Sequence, residues 1–479
     1  MNFFSLPDSR PSLKVAENGF SFNFLNRSQY FGKSINWTDQ RYGKLWNYNL
    51  QYLDFLRQSD IDFSIKHQLL NGIYSWLDFG KLQLEPYPAS LRIMNVIRFL
   101  SVEQFSNGDS LTQHLYAEVS FLSTHLEYHL LGNHLLENGF ALLIAGTIFQ
   151  ESSWFEKAKK LLRAELEEQI LSDGAHFELS PMYHRIILFR ILEALGYLEK
   201  NTPFYDFLQE KASRMLGWMK EMTFADGSMP HFNDSTEGIA FESNSLLRIA
   251  GGLGLEANME SKLGDSGYRK FENGNFQCIV DAGIIGPYYQ PGHGHADIAS
   301  FWLYVDSKPV FIEAGTSTYE NNSRRAYERG TGAHNTVSIN QLNQSDVYGA
   351  FRVGHRAKVD IQKEETNELI ILHDGYKRTA GVNHKRAFKF ETNSITITDE
   401  IVGGKKSIKA VAYFHLHPDV KVKENENGIL LNNGLSCNFR GNDQLSVEEY
   451  DCAMGFNQLV KSRVIKVHFF EKLVTTLIR

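Results

Sequence analysis

Near residue 265 the hydrophobic pattern of this chain changes period, and that change restricts the fold more than any other feature. From about residue 111 to 222 apolar residues recur at helical spacing. Phe155, Ala158, Leu161, Leu162 and Leu166 form one stripe, with Lys157, Lys160, Arg163 and Glu167 largely opposite. Residues 186–198 and 204–222 follow the same rule, as does the more apolar 135–149. Gly132-Asn133, Ser172-Asp173-Gly174 and Asn201-Thr202-Pro203 separate them. Helices joined by such short links pack antiparallel, as a stack of hairpins. The part before them reads as loop and aromatic packing around Trp37, Trp46 and Trp76. After residue 265, short runs such as 301–305, 310–312, 369–372, 394–398, 409–416 and 464–470 read as strands. Asp306-Ser307-Lys308-Pro309 reads as a hairpin turn, and Asp374-Gly375, Val402-Gly403-Gly404 and Asn432-Asn433-Gly434 as further turns. Strands with no helices between them imply antiparallel sheets, packed as a sandwich. The expectation is an α+β multidomain chain, helical over 1–265 and an antiparallel β-sandwich over 266–479. A length of 479 residues is too great for one ordinary core and agrees with that division.

A hydrophobic content of 42% with 22% charged residues describes a soluble globular protein. The net charge of −7 argues against a nucleic-acid partner, which calls for a basic footprint, yet it leaves room for a local cationic cleft. The 13% aromatic content suits sugar-stacking surfaces and large β cores alike. The three cysteines, Cys278, Cys437 and Cys452, have no paired spacing, so any metal must be held by histidine and carboxylate. Residues 1–8 show neither a basic n-region nor an apolar h-region, and no apolar run approaches the ~20 residues of a membrane span. A cytoplasmic protein is expected as the chain reads, or a periplasmic one if a leader has been removed. Oligomeric state is not readable.

Chemistry concentrates at the change of period, in Gly292-His293-Gly294-His295-Ala296-Asp297. In an extended segment residues i and i+2 share a face, so both imidazoles can point one way, and the glycines permit close backbone approach. Glu313 and His334 follow on later strand ends. Together they suggest one functional histidine, His293, beside a His295, Glu313 and His334 metal set suited to zinc; buried histidines satisfied by backbone are the alternative. Asp173, His176, Glu178, Tyr183 and His184 crowd a second segment, where Ser180-Pro181 fits a helix start. Tyr183 there is either packing or catalytic. Asn133 is either a helix N-cap or, with His134, a donor at an anion-favouring helix end. Arg92, and Arg324, Arg325 and Arg329 ahead of His334, are candidates for a sugar carboxylate or sulfate, with ion pairing as the alternative.

In these segments the chain resembles the heparinase II/III-like polysaccharide lyases and the related alginate and oligoalginate lyases. Asn133-His134, Ser180-Pro181-Met182-Tyr183-His184, His293-Gly294-His295-Ala296-Asp297 and His334-Asn335-Thr336-Val337 carry the likeness, which covers most of the chain. It implies an incomplete α/α toroid followed by the sandwich, and β-elimination of a uronate-containing polysaccharide or oligosaccharide. It further implies Tyr183 as catalytic acid, or as acid and base together, with His293 as a second catalytic group. Asn133 or His134 would neutralise the substrate carboxylate, and His295, Glu313 and His334 would hold a structural Zn2+ ion. Arg92, His184, Glu178 and Arg329 would line the substrate, and no organic cofactor is called for. Two other readings remain open at this point. One is a glycoside hydrolase pairing Asp173 or Glu178 with Glu137 or Asp234. The other is a non-catalytic carbohydrate-binding or exopolysaccharide-assembly protein.

Overall fold

The computed structural model describes residues 10–101, 110–258, 260, 262–404, 408–425 and 428–479. The reading of residues 1–8 as leaderless lies outside them. Two compact units interleave along the chain. One takes residues up to Gln169, then Ile186–Ser213 and Ser245–Glu256; the other takes Ile170–Arg185, Arg214–Asn244 and everything from Ala257 onward.

The first unit opens with a three-stranded antiparallel sheet, Leu13–Ala16, Gly19–Phe24 and Arg27–Phe31, where loop was expected. Its signal was in the sequence. Phe20, Phe22 and Phe24 alternate inward, and Leu25-Asn26, both at positive φ, turn the chain so that Phe24 pairs with Arg27. Helices Lys44–Tyr52, Phe63–Asp78 and Pro86–Ser101 also precede the first expected helix. Helix Gly132–Ile148 is buried over most of its length against Ser152–Gln169. Small residues allow the approach: a Cβ on Gly139 would meet Leu161 and Leu162 at 2.8 Å, and one on Gly146 the backbone of Phe155 at 2.7 Å. Ala158, Leu161, Leu162 and Leu166 form the buried stripe of the second helix as its period predicts, with Trp154 buried in place of the expected Phe155, which is half-buried.

The second unit holds a four-stranded antiparallel sheet in sequence order, Tyr268–Asn273, Phe276–Asp281, Phe301–Val305 and Lys308–Phe311. The expected hairpin is present but tighter, with Val305 pairing Lys308 across Asp306-Ser307. Pro309 therefore sits in a strand, on an edge where its missing N–H costs no ladder bond. A ten-stranded antiparallel sheet contains the other predicted runs. Its long hairpin, Ser436–Gly455 with Gln458–Ile478, reaches beyond the single strand expected at 464–470. Apolar side chains of both sheets, among them Val280, Leu303, Phe388, Ile397, Phe414 and Leu477, share one buried core. Among the described residues no helix is long and apolar enough to cross a membrane.

Candidate active site

Tyr183 is placed by its helix start. Ser180 caps helix Pro181–Leu195, its hydroxyl accepting from the Tyr183 N–H at 3.3 Å and donating to the Asp234 carbonyl at 2.7 Å. The preceding Leu179 is held at a φ of 56°, and its carbonyl accepts from Asn233 Nδ2 at 3.0 Å and from the Tyr268 hydroxyl at 2.5 Å. Helix start and loop 232–235 are thus one rigid piece.

Asp234 is the centre of that piece. Its buried carboxylate lies 2.9 Å from His293 Nδ1 through one oxygen and 2.9 Å from His295 Nε2 through the other. Arg325 clamps both oxygens, with Nη2 at 2.7 Å and Nη1 on Oδ1. Burial pushes this carboxyl up, but Arg325, His293 and His295 overcome it and hold the group well below the usual carboxylate range. A carboxylate only accepts, so both imidazoles present N–H to it. The ring edge of His293 turned away from Asp234 is then Nε2, 3.9 Å from Glu178. The Tyr183 ring lies 4.1 Å from the His293 ring, and its hydroxyl stands 3.3 Å from that of Tyr319. Burial, then Tyr319, Asp234 and Glu178, push the Tyr183 phenol well above its ordinary value. It keeps its proton at neutral pH.

The motif is a turn, not the extended segment expected, with Gly294 N–H donating to Pro291 O at 3.0 Å and the strand starting only at Phe301. The two imidazoles still converge, because one carboxylate receives both.

A second buried group lies in the same unit. Asp297, Glu313 and His334 each offer a ligand atom within 4.8 Å of the others. This differs from the expected set, since Asp297 takes the place given to His295, whose Nε2 is engaged by Asp234. Asp297 Oδ2, Glu313 Oε2 and both His334 ring nitrogens are buried without a hydrogen bond, although His334 Nδ1 lies 3.0 Å from Glu313 Oε1. His295 Nδ1 is also buried and unpartnered, its ring 5.3 Å from that of His334. Burial, with Asp281 and Glu313 nearby, pushes the Asp297 carboxyl well above its usual range. Carboxylates and imidazoles gathered with orphaned atoms fit a divalent cation.

The remaining candidates fall out as follows. His184 is buried, receives the His176 N–H at 3.3 Å, lies 3.0 Å from the Met215 carbonyl and packs on Trp218; burial pushes it down to about 3. Arg329 is buried and spends its donors on the carbonyls of Gly294, Tyr348, Gly349 and Arg352, bracing the histidine turn. Glu178 is buried between His176 and His293. In the first unit, Arg92 is buried against Glu118 and donates to Gln51 O at 3.0 Å. Helix Gly132–Ile148 starts two residues too early for Asn133 to cap it, with Leu131 in the cap position, so Asn133 sits in the first turn. His134 lies 3.2 Å from Glu127 and 4.2 Å from the ring of Tyr87. Asp234, Tyr319 and Asp297 were not read as parts of a lyase site, although Asp297 stood inside a quoted motif; Arg325, read as suited to the sugar's anion, is instead spent on Asp234.

Residues 25–248 match the family described as Heparinase II/III N-terminus, and residues 257–474 that described as Heparinase II/III-like, C-terminal. A heparin-sulfate lyase of Bacteroides stercoris is 24% identical over 441 residues, covering 80% of this chain and 62% of the relative. One from Bacteroides thetaiotaomicron is 25% identical over 406 residues, covering 69% and 56%. The chain thus spans only about three fifths of the length of these curated relatives. A crystal structure of heparinase III shares the fold with a TM-score of 0.70 at 18% identity, over 93% of this chain and 79% of that one.

Proposed function

The chain belongs to the heparinase II/III-like family, and on that premise we propose that it is a polysaccharide lyase cleaving uronate-containing chains by β-elimination. One observation carries the reading: a protonated phenol, Tyr183, packed on an imidazole whose far nitrogen is fixed by a buried aspartate. The C5 proton of a uronate is weakly acidic because it neighbours a carboxylate. His293 Nε2 is suited to remove it, with Asp234 steadying the imidazolium that forms. The Tyr183 hydroxyl, still protonated, is suited to deliver a proton to the departing O4. Asn133 and His134 are proposed for the uronate carboxylate, whose charge must be met as the enediolate develops. His184 and Arg329 act by positioning the residues around them.

Asp297, Glu313 and His334 would hold a zinc ion, with His295 Nδ1 as a further donor, and such an ion would fix the strand ends from which the histidine turn departs. The same reading gives the helical region, 1–265, the form of an incomplete toroid and 266–479 that of a sandwich. The hydrolase alternative is not favoured. Asp173 is spent on the N–H groups of Ala175, Gly264 and Ser266, Glu137 is paired with Arg190, and Asp234 is clamped by Arg325.

The test is a panel of uronate polysaccharides, heparan sulfate and alginate included, followed by near-ultraviolet absorbance of unsaturated ends. Absorbance should grow with wild-type protein and vanish, by at least about 10³-fold in rate, with Tyr183→Phe. Reducing ends without unsaturation would mean a hydrolase.

A further inference from the structure

Beside His293 the second unit leaves aromatic rings in solvent. Tyr288 is 90% exposed, Tyr348 53%, Tyr289 44% and Phe351 43%. Single exposed rings need no explanation, but these lie on two segments packed against each other. A Cβ on Gly292 would touch the Phe351 carbonyl at 3.5 Å, and Arg356 Nη1 donates to the Pro287 carbonyl at 2.9 Å. The Arg356 guanidinium lies 5.6 Å from the centre of the Tyr288 ring. Phe351 stands edge-on to His293 at 5.9 Å, and residues 348–352 with Asn321 line a cavity of about 450 Å³. Arg352 is exposed and Arg356 is held by the Pro287 carbonyl and the Tyr288 ring rather than by a carboxylate among the described residues, in a chain whose net charge is −7. Unbalanced cations on an acidic protein call for an anion.

We infer that this wall, Tyr288, Phe351, Arg352 and Arg356, is a subsite for an anionic sugar chain adjoining the cleavage point. The inference rests on the lyase reading and gives it a direction, since Phe351 joins the wall to His293. Pyranose rings present apolar C–H faces that stack on Tyr and Phe, while sulfate or carboxylate substituents meet the guanidiniums. No bond is made or broken here.

Heparan sulfate and alginate serve as probes, in affinity electrophoresis with the Tyr183→Phe protein so that no chain is consumed. Adding Tyr288→Ala and Phe351→Ala should weaken retardation about tenfold for the probe that binds. Adding Arg352→Gln and Arg356→Gln instead should weaken it and flatten its dependence on salt. The replaced rings are exposed, and circular dichroism should be unchanged. Unaltered retardation in both variants overturns the subsite while leaving the lyase reading intact. Retardation by the wall in a wild-type protein that never yields unsaturated ends supports the subsite and removes the lyase. Failure of both probes to bind overturns the subsite.

Discussion

Two buried acidic clusters sit in the second unit, and they differ in one respect. Around Asp234 every charge is answered: Arg325 clamps both oxygens and two imidazoles donate to them. Around Asp297, Glu313 and His334 acidic groups are gathered with few donors: Ser300 Oγ donates to Glu313 Oε1 at 2.6 Å, but Asp297 Oδ2, Glu313 Oε2 and the His334 ring nitrogens are left without a hydrogen bond. A buried polar group without a partner is costly, so the second cluster, with His295 Nδ1 beside it, is the one that a cation would satisfy. Self-sufficiency marks the cluster proposed to move the proton, and incompleteness the one proposed to hold an ion.

Asp234→Asn should have the largest effect. It leaves Arg325 buried without its counter-ion and presents an amide to two imidazoles. Elimination should fall by about 10³-fold, with a stability loss of ~3–5 kcal/mol read from urea midpoints. A normal rate in this variant would remove Asp234 from the mechanism. Chelation acts on the second cluster. Stripping metal should lower stability by about 3 kcal/mol if the ion is held near ~100 times its Kd, with recovery on adding zinc. His334→Ala should contain no metal and show a Tm indifferent to chelator; wild-type metal content in this variant would exclude His334 as a ligand.

Acid should act through the buried imidazoles. Burial pushes His176 down to about 4 and His184 down to about 3. Below the unfolded value of ~6.5 the unfolded chain takes up protons that the folded one refuses, so stability falls as pH drops from about 6.5 toward 3–4. His184→Gln should flatten that slope in urea melts at pH 7 and 5; an unchanged slope would show that His184 does not contribute. Asp234, whose folded value is depressed, adds stability present above the usual carboxylate range and lost only as pH falls through that low value. The smallest effect belongs to Ser180→Ala, which removes a cap and the tie to the Asp234 carbonyl. About 1 kcal/mol is expected, with a larger change in kcat than in KM, because Tyr183 loses its anchor. A shift in KM alone would show that Ser180 does not position Tyr183.

The sequence revealed what was local. Ser180-Pro181 announced a helix start, and the stripe of Leu161, Leu162 and Leu166 announced a buried face. His293 and Tyr183 were legible because residues with distinctive chemistry stood inside compact motifs. Asp234 was not, since it meets His293 across 59 positions and nothing periodic marks its loop. Asp297 was quoted within the histidine motif but passed over, because a zinc set of two imidazoles and one carboxylate looked complete without it. The first sheet was missed for a different reason. Its alternating phenylalanines were passed over in a part read as loop and aromatic packing around the tryptophans, although period two marks a strand.

The short stretches 170–185 and 214–244 fold with strands that come much later in the chain. A polypeptide begun at residue 266 would therefore inherit both imidazoles of the turn but neither the carboxylate that orients them nor the phenol stacked against one of them. The sheet-rich half is not a transplantable cassette: recombination at the visible change of sequence texture would move a scaffold and leave its chemistry behind.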